Sequence, residues 1–200
     1  MSIRSGFVVL CASVALAVAC QSRESLPASP SVSDQGRTTS AVTAPRVAAA
    51  TDHGKTVTLM DACDPDTFNA PPPVGVGPGT CSRSGGVQFA NFIDQLTRHH
   101  SIGAWHMAPG VVTLKVGEVL SAFNHGGEAH TFTEVEEFGG GNVQFLNQIL
   151  GLTFVPPECA QAQLLQPGQS SSEVENDEGV EHYQCCIHPW MRADVRISGK

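Results

Sequence analysis

The stretch Tyr183-Gln184-Cys185-Cys186-Ile187-His188-Pro189-Trp190-Met191 decides how this chain is read. It sets a thiol, an imidazole and a thioether at Cys-x-x-His-x-x-Met spacing. The run Val180 to Gln184 before it and Val195-Arg196-Ile197 after it have strand character, which places the motif on the loop between two late strands. Soft sulfur donors combined with imidazole nitrogen favour copper; two His and one Cys in a plane with a weak, long Met contact make an electron-transfer copper site. The loop carries three of those four groups. The fourth must be a distant His; His130 is the candidate and His125 its rival. His53, His106 and His182 read as solvated or hydrogen-bonded side chains, and His99-His100 as a helix C-terminus, where cationic His is mildly favoured. Zinc would want a fourth strong donor in place of Met. The plain alternative is that Cys185 and Cys186 are ordinary half-cystines.

The 200 residues include 20 Gly and 13 Pro, and 41% are hydrophobic, which suits one loop-rich β domain with a leader. The formal net charge is −8, with no Lys/Arg cluster. That excludes nucleic acid as a natural partner and points to basic-faced protein partners reached by electrostatic steering. Residues 1–19 read as a signal peptide: Arg4 forms the positive region, and Gly6 to Ala19 an apolar stretch too short to span a bilayer. Leu16-Ala17-Val18-Ala19-Cys20 is similar to a bacterial lipobox, with Leu four places before the Cys where three is usual. Cys20 is the expected lipidation site, and the expected compartment is oxidising and extracytoplasmic. Residues 20–52, rich in Ser, Ala, Pro and Thr, read as a disordered tether, and 53–200 as the domain.

The chain has seven Cys. Cys11 leaves with the leader. With Cys20 lipidated and Cys185 on a metal, Cys63, Cys81, Cys159 and Cys186 remain as disulfide candidates, with three possible connectivities. A Cys63–Cys81 bridge would restrain the Pro/Gly-rich loop between them. Asp61, Asp64 and Asp66 near that loop read as turn residues, since the Gly and terminal Glu of a calcium loop are missing.

Six to eight short strands with Gly/Pro turns argue an all-β sandwich. The expected strands are Thr56 to Met60, the region from Trp105, Val112 to Val116, Val119 to Phe123, Thr131 to Val135, Ser170 to Val174, Val180 to Gln184, and the last at Val195. Phe89, Phe92, Ile93 and Leu96 mark one face of a helix capped by Ser84. A second short helix is expected after an Asn142 cap, with Gly151 as its stop.

Three pieces of this pattern resemble the cupredoxins, in particular the plastocyanin/amicyanin type of small blue copper protein. Lys115-Val116-Gly117-Glu118 before a strand is similar to the family's Lys-x-Gly-acid turn. Asn124 stands six residues before His130, as an Asn precedes the family's first His ligand. Cys185-x-x-His188-Pro189-Trp190-Met191 is similar to the family's short ligand loop. The likeness covers about Ala104 to Ser198 and the first strand; residues 61–103 and 139–163 look like insertions.

The resemblance implies a Greek-key β-sandwich with one type 1 copper ion held by His130, Cys185, His188 and Met191. Asn124 would tie the two ligand loops together. One His edge would be exposed as the electron's exit. The doubled Cys is the departure: Cys185 keeps the family's intervals, while Cys186 should point away, with Cys159 as its disulfide partner. The expected function is single-electron transfer between periplasmic redox proteins by a monomeric, lipid-anchored, non-enzymatic carrier. The alternative is copper delivery or storage. Glu128 and Glu134 near His130 form a weaker, acid/base reading.

Overall fold

The computed structural model describes residues 54–199. The leader, Cys20 and the tether lie outside them. Ten strands form where six to eight were expected: β1 (Lys55–Met60), β2 (His106–Ala108), β3 (Val111–Lys115), β4 (Val119–Asn124), β5 (His130–Thr131), β6 (Thr133–Val135), β7 (Leu164–Leu165), β8 (Ser170–Val174), β9 (Gly179–Gln184) and β10 (Arg192–Ser198). One sheet runs β2-β1-β4-β8 and the other β3-β10-β9-β6, with β5 and β7 as a separate two-stranded pair. Both large sheets are mixed, because β1 lies parallel to β4 and β10 parallel to β3.

The period-2 pattern explains how the sheets face each other. Val57 and Leu59, Leu120 and Ala122 point inward from one sheet, and Val112 and Leu114, Ala193, Val195 and Ile197 from the other, into a single buried cluster. This is the all-β sandwich with short inserted helices that the resemblance implies. The expected strand Thr131 to Val135 is broken. Phe132 stacks on Tyr183 with ring centroids 4.3 Å apart, and the chain there changes partner, from β7 before it to β9 after it.

The first insertion carries α1 (Pro65–Phe68) and α2 (Phe89–His99). The predicted face of α2 is correct: Phe92 and Leu96 are buried, and Phe89 and Ile93 partly so. Its cap is not Ser84. Gln88 stands at the N-cap without a side-chain bond, and the Thr67 hydroxyl of α1 accepts the Phe89 N–H at 3.0 Å. The need for a partner at a helix start is met here by another element. The second insertion holds α3 (Gln144–Leu150), ended by Gly151 at φ 67°, and a 3₁₀ turn at Pro157–Gln161. Asn142 does not cap α3. Its N–H donates to Cys186 O at 2.6 Å and its side chain to Cys159 O at 2.8 Å, so it braces the two ends of a disulfide. The bridges are Cys63–Cys81 and Cys159–Cys186.

From β9 the Tyr183 hydroxyl lies 3.0 Å from Glu173, 3.1 Å from Glu181 and 3.4 Å from Glu175. A phenol has one proton to donate, so the three carboxylates compete for it. Burial first, then the charges of Glu181 and Glu173, push Glu175 up to about 7. The folded state therefore holds a proton that the unfolded state releases above its ordinary 4.5, and stability falls as pH rises from there to about 7. Glu175→Gln should remove that slope. Thermal denaturation at stepped pH should show the variant gaining on the wild type through this window and holding its gain above it; parallel curves would refute the assignment.

Candidate metal centre

Three side chains separated in sequence converge at one pole of the sandwich. Cys185 is the free cysteine among the described residues and is fully buried. His130 is also 0% exposed and His188 3%. Cys185 Sγ lies 3.8 Å from His130 Nδ1 and 3.8 Å from His188 Nδ1, and the two nitrogens are 3.2 Å apart. His130 reaches the site because β5 begins there, just after the His125–Ala129 turn. Cys185 and His188 sit on the β9–β10 loop, which the Cys185 N–H to Met191 O and Met191 N–H to His188 O bonds close on itself. Met191 is fully buried in the same loop. His125, the rival, is exposed.

These donor atoms fit a metal ion. A triangle of sides 3.8, 3.8 and 3.2 Å has a centre about 2.1 Å from each corner, close to typical metal–imidazole bonds of about 2.0–2.1 Å and metal–thiolate bonds of about 2.3 Å. One thiolate, two imidazoles and a thioether in the same loop match copper rather than zinc in softness and number.

The surroundings polarise each donor. The sulfur accepts backbone N–H groups from Thr131 and His188, both at 3.4 Å. Burial alone would push its thiol up; hydrogen bonds with His130 and His188, and their charge, pull it well below the ordinary thiol value. His130 Nε2 meets Asp61 Oδ2 at 2.9 Å. Burial would lower His130, but the bond to Asp61, then the Cys185 sulfur, raise it to about 9. Asp61 also accepts backbone N–H groups from Cys63, Gly127 and Glu128. Burial acts against its charge, and the His130 bond followed by the Glu128 and Gly127 bonds outweighs it, holding Asp61 at about 2. On the other side His188 Nε2 lies 3.7 Å from Glu128 Oε2, which also accepts Trp105 Nε1 at 2.7 Å. Burial, the strongest influence, pushes the Glu128 carboxyl up against the charge of His188. Both histidines thus turn Nδ1 to the sulfur and Nε2 to a carboxylate, an arrangement that fixes imidazole orientation and raises donor basicity.

Two expectations need correction. Asn124 does not tie the two ligand loops together. Its side chain bonds Glu128 O, Leu165 O and Gly126 N, bracing the turn before His130 against β7. Thr131 makes the tie: its N–H donates to Cys185 Sγ, and its hydroxyl accepts the Cys186 N–H at 2.7 Å. Nor does a His edge reach the open surface: His188 is enclosed by Glu128, by Phe92 of the first insertion and by Trp190 of its own loop, whose rings lie 6.5 and 5.4 Å from its ring. Cys186 does turn away from the triangle, into its disulfide with Cys159. Glu134, the other acid/base candidate, lies on β6 opposite Tyr183, beside Glu181 and Glu173.

Asp61 and Thr131 are the residues that reading the sequence missed. Asp61 stands in what reads as a polar turn, 69 positions from the imidazole it holds. The available signal was Gly126-Gly127. A Cβ on Gly126 would collide with the Asp61 carboxylate and come within 3.1 Å of His130 Nε2, and one on Gly127 would come within 2.7 Å of Cys63 Sγ.

No protein-family model matches the chain, and no curated protein matches it. Among solved structures it is similar to a purple cupredoxin from Nitrosopumilus maritimus, at 21% identity and a TM-score of 0.36 over 48% of this chain and 86% of that one. It is also similar to an amicyanin mutant in its Cu(I) form (18% identity, TM-score 0.32, 46% of this chain and 73% of that one). A second, reduced Cu(I) amicyanin mutant matches at 18% identity and a TM-score of 0.34, over 51% of this chain and 89% of that one.

Gly126→Ala should destabilise the fold by about 1–3 kcal/mol, the usual cost of overpacking, seen as a lower Tm. Asp61→Ala, which strips the partner from His130, should weaken metal binding by about 10–100-fold in a competition titration. Unchanged values in both variants would mean that the Asp61–His130 contact has no hold on the site.

Proposed function

We propose that this protein is a type 1 copper protein that carries single electrons between redox partners. The observation that carries this reading is the buried triangle of Cys185 Sγ, His130 Nδ1 and His188 Nδ1. His130, Cys185 and His188 would hold the ion, with Met191 as the weak fourth donor. Bound copper would supply a one-electron couple.

The chain's own groups suit that task. Burial of the sulfur and both imidazoles shields the donor atoms from water, which favours a carrier over an enzyme. It also disfavours delivery or storage, which needs an open site that releases its ion. The N–H bonds to the sulfur, the Thr131 tie and the Cys159–Cys186 bridge beside Cys185 hold the donors in place, so little rearrangement accompanies a change of charge. A buried thiolate and two carboxylates around two imidazoles call for a cation, since buried charges persist only when paired or bound to metal.

The carrier would work as a monomer on the periplasmic side of a bacterial membrane, anchored through lipid on Cys20. Its net charge of −8 suits partners with a basic face.

Full-length protein loaded with Cu(II) should show an intense visible thiolate-to-copper charge-transfer band. Cys185→Ala and His130→Ala should abolish it, and His125→Ala should leave it intact; a colourless copper-loaded wild type would overturn the proposal. Repeated redox cycling without metal loss would distinguish carriage from delivery. Removing a buried negative charge favours the reduced ion, so Asp61→Asn should raise the reduction potential in voltammetry.

A further inference from the structure

The two inserted segments do more than cover His188. Between them and the metal site lies a cavity of about 740 Å³, within the usual range of about 300–1,000 Å³ for small-molecule sites. Its walls run from exposed positions, Val76 and Phe145, to buried ones, Phe92, Glu128 and His188. The carrier reading gives this space no task.

Its inner end has a specific chemistry. The Glu128 side chain is only 8% exposed. Its Oε2 is committed to Trp105 Nε1 and lies near His188. Its Oε1 makes no hydrogen bond to the described residues. An acceptor that no protein group pairs is open to a donor from the cavity, and a ligand O–H would supply one. Phe68, Phe89, Phe92 and Phe145 line the rest, and aromatic walls favour a flat ring system in stacked or edge contact. No Lys or Arg lines the cavity, and the Glu128 carboxylate would repel an anionic ligand.

We propose that this cavity binds a small aromatic alcohol, a neutral ring system whose hydroxyl donates to Glu128 and whose rings lie against the phenylalanine wall. The occupant would rest against the Nε2 side of His188. The binding claim stands whether or not His188 holds a metal, so it can fail without the copper reading failing, and the reverse.

Equilibrium dialysis of the full chain with 2-naphthol, and with 2-methylnaphthalene as the donor-free analogue, tests this. A site built around a buried acceptor rejects the ligand that lacks the donor. One equivalent of 2-naphthol should bind about tenfold or more tightly than the methyl analogue. Glu128→Gln should remove most of that preference. Val76→Trp, at an exposed wall position and so safe for folding, should weaken both ligands by about tenfold through filling the space. Equal affinity for the two ligands would overturn the proposal, as would 2-naphthol binding that Val76→Trp leaves unchanged. Binding of a Trp-containing peptide with no uptake of 2-naphthol would also overturn it, making the cavity a socket for a protein partner.

Discussion

A buried sulfur anion is tolerable only with positive charge or hydrogen-bond donors around it. Cys185 Sγ has two imidazole nitrogens at 3.8 Å and two backbone N–H groups at 3.4 Å. Each imidazole is then steered by a carboxylate on its far side, tightly by Asp61 at 2.9 Å and loosely by Glu128 at 3.7 Å. The chain of contacts from carboxylate through imidazole to sulfur leaves few free orientations. The Gly126-Gly127 turn gives the Asp61 carboxylate room to enter, Asn124 holds that turn to β7, and Thr131 joins its strand to the Cys185 loop.

The insertions acquire a role from this. The first begins with Asp61, is stapled by Cys63–Cys81 and sends Phe92 toward His188. The second is fastened by Cys159–Cys186, directly beside the Cys185 thiol. The His188 edge ends on Glu128 and on an aromatic-walled cavity lined largely by inserted structure.

Some of this was legible because the relevant residues are neighbours in the chain. Cys185, His188 and Met191 occupy one short loop, and their spacing survives folding because the loop closes through its own backbone bonds. Strand alternation in Val112 to Lys115 and in Val119 to Asn124 told which side chains face the core, since a strand has only two faces. The helical face of Phe89, Phe92, Ile93 and Leu96 was readable for the same local reason. The cap of that helix was not, because Thr67 comes from a different element. Asn142 resembles a cap locally yet spends both polar ends on the Cys159–Cys186 segment.

By itself, then, the sequence determined the Cys185, His188 and Met191 spacing, the all-β class and which cysteine of the adjacent pair keeps that spacing, all properties of intervals of a few residues. Only the tertiary structure decided that His130 rather than His125 joins Cys185, that Asp61 rather than solvent meets the outer nitrogen of His130, and that Thr131 rather than Asn124 bridges the ligand loops. Each of those is settled by which groups folding brings within about 3–4 Å of one another, after more than fifty residues of intervening chain have packed.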